Sequence, residues 1–186
     1  VLVACFLATT SARAEPSAED KQKARAAYTR ANEANERGDY LAAARELALA
    51  DELAPNSVTL KAALEATLDA DAAVLGMELV VRADKRGESG ETASVADAVR
   101  KRFSGRTGRI LVSCADKAPC RATFDGEAIA VGNERYVLAG KHHVVISRGT
   151  AVVQREIDVE ATELTTVNGP EQETVQRSEA GLSAAW

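Results

Sequence analysis

Large aromatic side chains are scarce in this sequence: three Phe, three Tyr and one Trp among 186 residues, or 4%. A core built from it has to be filled with Ala, Val and Leu, which suits closely packed helices and short strands. Positive charge is also short, because 23 Lys and Arg stand against 28 Asp and Glu, a net charge of −5. That balance argues against a nucleic-acid partner, which needs a basic surface to displace counterions from phosphates. It argues equally against an anionic membrane as the main target. No uninterrupted apolar run reaches about 20 residues, so no transmembrane helix is expected in the mature chain. The G-x-S-x-G elbow, the G-x-x-x-x-G-K-[ST] loop and the H-E-x-x-H helix are all missing. Asp69 and Asp71 sit two apart on an expected helix and so do not face each other. His142 and His143 are the only histidines. As strand neighbours they point to opposite faces and do not chelate one ion. The expectation is a non-enzyme with no cofactor and no metal.

What is present begins at the N-terminus. Residues 1–14 are an apolar stretch closing on Ala12 and Ala14 at A-x-A spacing, which reads as the second half of a secretory signal peptide. Cleavage after Ala14 exposes Glu15. Two other readings stay open: a short buried apolar segment, and a lipobox at Leu2-Val3-Ala4-Cys5 in which Cys5 would be acylated. The apolar Phe6-Leu7-Ala8 after Cys5 speaks for ordinary cleavage.

Loss of the leader leaves Cys114 and Cys120, a C-x5-C pair. In an exported chain such a pair reads first as a disulfide closing a short loop, worth about 2 kcal/mol on the chain-entropy model. A metal site would need more ligands, and a redox motif would prefer C-x-x-C. The two strand ends that carry the cysteines are expected to pair as neighbours.

From residue 18 to about 103 the texture is helical. Ala24, Ala27, Tyr28, Ala31 and Ala34 recur at three- and four-residue spacing and predict one apolar face. Gly38 is positioned to end that helix, Asp39 to cap the next, and Pro55 to stop it. The second helix is expected to bury Leu41, Ala44, Leu47 and Ala48. Asn56 is expected to cap a longer helix over 57–82, with Leu60, Leu64, Leu68, Leu75 and Leu79 along one side. A polar break over 84–90 and a short helix over about 91–103 follow. Ala31, Gly38, Tyr40, Ala43, Ala50 and Pro55, at their spacings, resemble one tetratricopeptide repeat over roughly residues 24–57. The resemblance implies a helix pair whose groove binds a protein.

From Gly108 the pattern turns to period two: Ile110, Val112 and Cys114, then Ala122 and Phe124, then Val144 and Ile146, then Val153, Arg155, Ile157 and Val159. Turn signals at Asp125-Gly126, Gly140 and Arg148-Gly149 separate them and predict a small antiparallel β-domain. Three segments together resemble a PEGA domain. They are Gly108-Arg109-Ile110-Leu111-Val112, Thr123-Phe124-Asp125-Gly126 and Leu138-Ala139-Gly140-Lys141-His142-His143-Val144-Val145, with Ala139 standing where that family has Pro. The resemblance implies a β-sandwich that binds or spaces and does not catalyse, as in bacterial envelope proteins.

Arg100, Lys101, Arg102, Arg106 and Arg109 form a basic cluster at the junction of the two halves. It reads either as a site for an anionic partner or, preferably, as solvated charge suited to a helix C-terminus. Residues 169–186 are polar and unpatterned, a linker or tail.

The expected organisation is therefore α+β. A signal peptide (1–14) precedes a tetratricopeptide-like α-helical hairpin domain (15–107), a small antiparallel PEGA-like β-sandwich (108–168) and a tail (169–186). The expected role is that of an exported periplasmic or cell-envelope adaptor that binds a protein partner through its helices. Alternatives are a cell-wall or carbohydrate-binding accessory, and the extracytoplasmic part of a membrane receptor.

Overall fold

The computed structural model describes residues 15–114 and 120–170. The leader and lipobox readings at 1–14, the residues between the two cysteines, and the expected tail from 171 onward lie outside the described residues. The chain has an α+β fold, helices first and strands second, and divides into two compact units between Arg102 and Phe103.

The helical unit holds α1 (Ala18–Glu36), α2 (Tyr40–Leu53), α3 (Ser57–Asp69), α4 (Ala73–Arg86) and α5 (Gly90–Phe103), whose last residue falls in the next unit. Local chemistry sets most of the boundaries. Ser17 caps α1 by accepting from the Asp20 amide, and Asp39 caps α2 by accepting from the Ala42 amide. Asn56 Oδ1 accepts from the amides of Val58 and Thr59 at the start of α3. Each cap satisfies amides that have no partner within the helix. Gly38 takes φ +74° between α1 and α2, a conformation that costs an L-residue strain. Ala24, Ala27, Ala31 and Ala34 of α1 are buried, as are Ala43, Ala44, Leu47 and Ala48 of α2. With methyl groups at most of these positions the two backbones approach closely.

Three expectations are corrected here. The long helix over 57–82 is two helices, because the chain breaks at Ala70–Ala72, where Asp71 adopts φ +50°. Leu60, Leu64 and Leu79 are nonetheless fully buried. The polar break is shorter than expected, since α4 runs to Arg86 and is closed by left-handed Gly87. Tyr28 and Leu41, both expected on buried faces, are 40% exposed. The buried positions of α1 are all alanines, and Tyr28 stands at the edge of that face.

In the second unit a short 3-10 turn at Ser104–Arg106 leads into β1 (Thr107–Ser113), β2 (Arg121–Phe124), β3 (Glu127–Ile129), β4 (Glu134–Leu138), β5 (Gly140–Arg148), β6 (Ala151–Val159) and β7 (Leu164–Asn168). They form a three-stranded sheet, order β4-β1-β7, and a four-stranded sheet, order β3-β2-β5-β6. Ile110, Val112, Val137 and Val167 of the first share one core with Ala122, Phe124, Val144, Ile146 and Val159 of the second. Pairing is antiparallel except between β1 and β7, which run parallel. Gly140 is not a turn residue. At φ +130° it opens β5, directly after the chain leaves β4 in the other sheet, so it marks the corner between sheets.

Candidate functional site

Candidate positions lie in both units. On the helical unit, Lys21, Ala24, Arg25 and Tyr28 of α1 face Ala50 of α2, together with Ala54, Asn56 and Thr59, across a hollow of about 220 Å³. The small side chains at 24, 50 and 54 leave this space open. Arg25 and Tyr28, three apart on α1, share its rim. Lys21 Nζ lies 2.6 Å from Glu15 Oε1 in an exposed pair, which holds it weakly. The Arg25 guanidinium has no hydrogen-bond or ion-pair partner among the described residues. A free guanidinium beside a half-exposed phenol ring suits a carboxylate-bearing, partly apolar ligand.

Deeper in the same unit is a charge cluster that the sequence did not announce. Asp51 is 1% exposed. Its carboxylate lies 2.6 Å from Arg86 Nη1 and 3.2 Å from Arg82 Nη1, and accepts the Asn56 backbone amide at 3.0 Å. Arg86 Nη2 reaches Glu88 Oε1 at 2.8 Å, and Arg82 Nη1 also donates to the Ala48 carbonyl. With so many partners the buried charges are balanced and the cluster ties the end of α2 to α4. Arg82 and Arg86 line a second hollow of about 260 Å³ with Glu78, Val81 and Lys85, but their guanidinium groups are committed to Asp51.

On the strand unit, Asp125 and Gly126 both take positive φ and form the two-residue turn between β2 and β3. The Asp125 carboxylate accepts the His143 amide at 2.8 Å and meets His142 Nδ1 at 2.7 Å. The His143 amide first, and the His142 ring second, hold its carboxyl below the usual carboxylate range. His142 Nε2 lies 2.8 Å from the Leu138 carbonyl, and its ring centroid sits 4.5 Å from that of Phe124. Both ring nitrogens therefore face acceptors, and the ring clasps the β2–β3 turn to the end of β4.

Cys114 and Cys120 sit at disulfide distance, with Cα atoms 6.6 Å apart. Their strand ends do not pair as neighbours. β1 and β2 belong to different sheets, so the link crosses from one sheet to the other. Gly169 packs against it, and a Cβ there would lie 2.7 Å from Cys114 Sγ.

Of the remaining sequence-picked residues, Tyr40 opens α2 and is 41% exposed, and Pro55 follows α2. The basic cluster is largely spoken for. Arg100 pairs with Asp84 and Asp97, Arg102 with Asp71 and Arg109 with Glu134, while Arg106 lies over the Phe103 ring. Among the described residues no three His, Cys, Asp or Glu side chains are grouped to hold a metal ion, and no helix is long and apolar enough to cross a membrane.

Compared with protein-family models, curated proteins and solved structures, the chain matches none of them.

Proposed function

We propose that this chain is an exported, non-enzymatic interaction protein of the bacterial envelope, whose tetratricopeptide-like helical unit holds a protein partner and whose PEGA-like strand unit is its spacer or anchor. The observation that supports this reading best is the hollow on α1–α3, where unpaired Arg25 stands beside Tyr28 over a floor of alanines. A groove of that make accepts an acidic peptide segment: a carboxylate on the guanidinium and an apolar or aromatic side chain against the ring. The cysteine pair at disulfide distance is compatible with an oxidising compartment.

The test is site-specific photocrosslinking from position 28 in the full chain, carried out in the cells that make it. A discrete adduct that disappears in Arg25→Glu supports the reading. Its absence, or sedimentation with purified cell wall that Arg25→Glu leaves untouched, refutes it in favour of a carbohydrate-binding role.

A further inference from the structure

Among the described residues β6 is an edge strand nine residues long, paired only with β5, whereas the other edges, β3, β4 and β7, have three, five and five residues. The β5–β6 connection is the two-residue loop Gly149-Thr150, closed by Arg148 opposite Ala151. In a hairpin with such a loop the closing pair is hydrogen-bonded, and bonded pairs then alternate along the ladder. Residues 151, 153, 155, 157 and 159 thus bond to β5. The amides and carbonyls of Val152, Gln154, Glu156 and Asp158 point away from the sheet. No Pro or bulge blunts this row, and Val152 is 56% exposed.

The side chains along the row are charged in a pattern. Arg155 lies directly opposite Val144, which is fully buried, so its side chain projects on the core-facing side of the sheet. It is nevertheless exposed and has no partner among the described residues. On the other face, Asp158 has no partner among the described residues, and Glu156 has only an exposed Lys141 at 3.2 Å. An inward charge on a strand edge repels an ordinary apolar strand. It admits one that brings the opposite charge to that position.

We infer that β6 is an acceptor edge for strand addition by an extended protein segment of defined charge. The incoming antiparallel strand carries an acidic residue opposite Arg155, apolar residues opposite Val153 and Ile157, and basic residues opposite Glu156 and Asp158. Main-chain bonds to the four outward residues supply affinity, and the alternating charges select sequence and register. This edge belongs to the strand unit and needs nothing of the helical hollow.

The probe is the capped heptapeptide Lys-Val-Lys-Glu-Thr-Val-Thr, titrated into the full oxidised chain and followed by amide hydrogen exchange. The expected result is new protection at the amides of Val152, Gln154, Glu156 and Asp158. A charge-reversed peptide, Glu-Val-Glu-Lys-Thr-Val-Thr, should bind about ten-fold or more weakly. Arg155→Glu, an exposed change, should weaken the first peptide by a similar factor and favour one with Lys at the central position. Gln154→Pro removes one outward amide without touching the β5 ladder and should abolish binding. Equal binding of both peptides, no binding, or protection elsewhere overturns the inference. So does a concentration-dependent dimer that protects the same four amides without peptide, which would make a second copy the occupant.

Discussion

Asp125 serves a turn and a clasp at once, and the two can be separated. Asn tolerates the same positive φ, so Asp125→Asn keeps the turn and removes the charge. The folded carboxyl lies below its usual range, so its contribution is fully present above the unfolded value and is lost as pH falls through the folded one. The stability of the strand unit, read by denaturation across that acidic range, should therefore fall in the parent chain and change less in Asp125→Asn. A steeper acid dependence in the variant would refute the assignment. Gly108 is constrained differently. A Cβ there would collide with the Glu160 carbonyl oxygen and lie 2.5 Å from Val159 Cγ1. Gly108→Ala should destabilise the strand unit by about 1–3 kcal/mol, read as a lower urea midpoint with unchanged slope. At this scale the sequence was readable wherever one residue type has one local use, as with Gly38, Asp39 and Asn56. Asp51 was not readable, because the arginines that balance it come 31 and 35 residues later and nothing local distinguishes it from a surface acid.

Helices and strands show the same division between local and distant causes. The end of α1 follows from a glycine, but the gap between α3 and α4 falls in Ala70-Asp71-Ala72, where neither Gly nor Pro announces a stop. The stop is made by Asp71 itself, which takes the left-handed conformation while the Ala72 amide bonds back to the Thr67 carbonyl at 2.9 Å. The strand periods were legible, yet the sheet to which each strand belongs was not. A period of two says which side chains share a face, and both sheets face the same core. The hollow beside Arg25 escaped for a related reason: alanines that read as a packing face also leave space where no larger side chain arrives. Two expectations belong to elements. Gly38→Val should cost the helical unit about 1 kcal/mol or more, through strain at φ +74°, as a fall in thermal midpoint. Asp51→Ala should cost it about 3–5 kcal/mol, since buried Arg86 keeps only Glu88, Arg82 loses its nearer carboxylate and the Asn56 amide loses its acceptor. A loss under about 1 kcal/mol would mean that water replaces the carboxylate freely.

For the molecule as a whole, the link between Cys114 and Cys120 spans two sheets and so restrains their separation as well as one loop. Non-reduced peptide mapping should recover the two residues in one linked fragment. Reduction should raise hydrogen exchange in the strand unit and leave α1–α4 unchanged. Recovery of both thiols free from native material would remove the bond and the argument for export with it. The parallel pairing of β1 with β7 has a consequence in time. Ser113 Oγ donates to Asn168 Oδ1, 55 residues further along, at 2.6 Å, and Arg109 stands opposite Leu164. The first strand of this unit therefore waits for the last. Every other strand can be on hand while β1 still lacks one neighbour, so closure of the unit is a late, slow, high-contact-order event compared with the nearest-neighbour helix pairs. A chain emerging in order from a ribosome or a translocation pore completes its helices early and exposes half-built sheet edges until residue 168 arrives. Unpaired strand edges exposed during such an interval are what open a folding chain to aggregation.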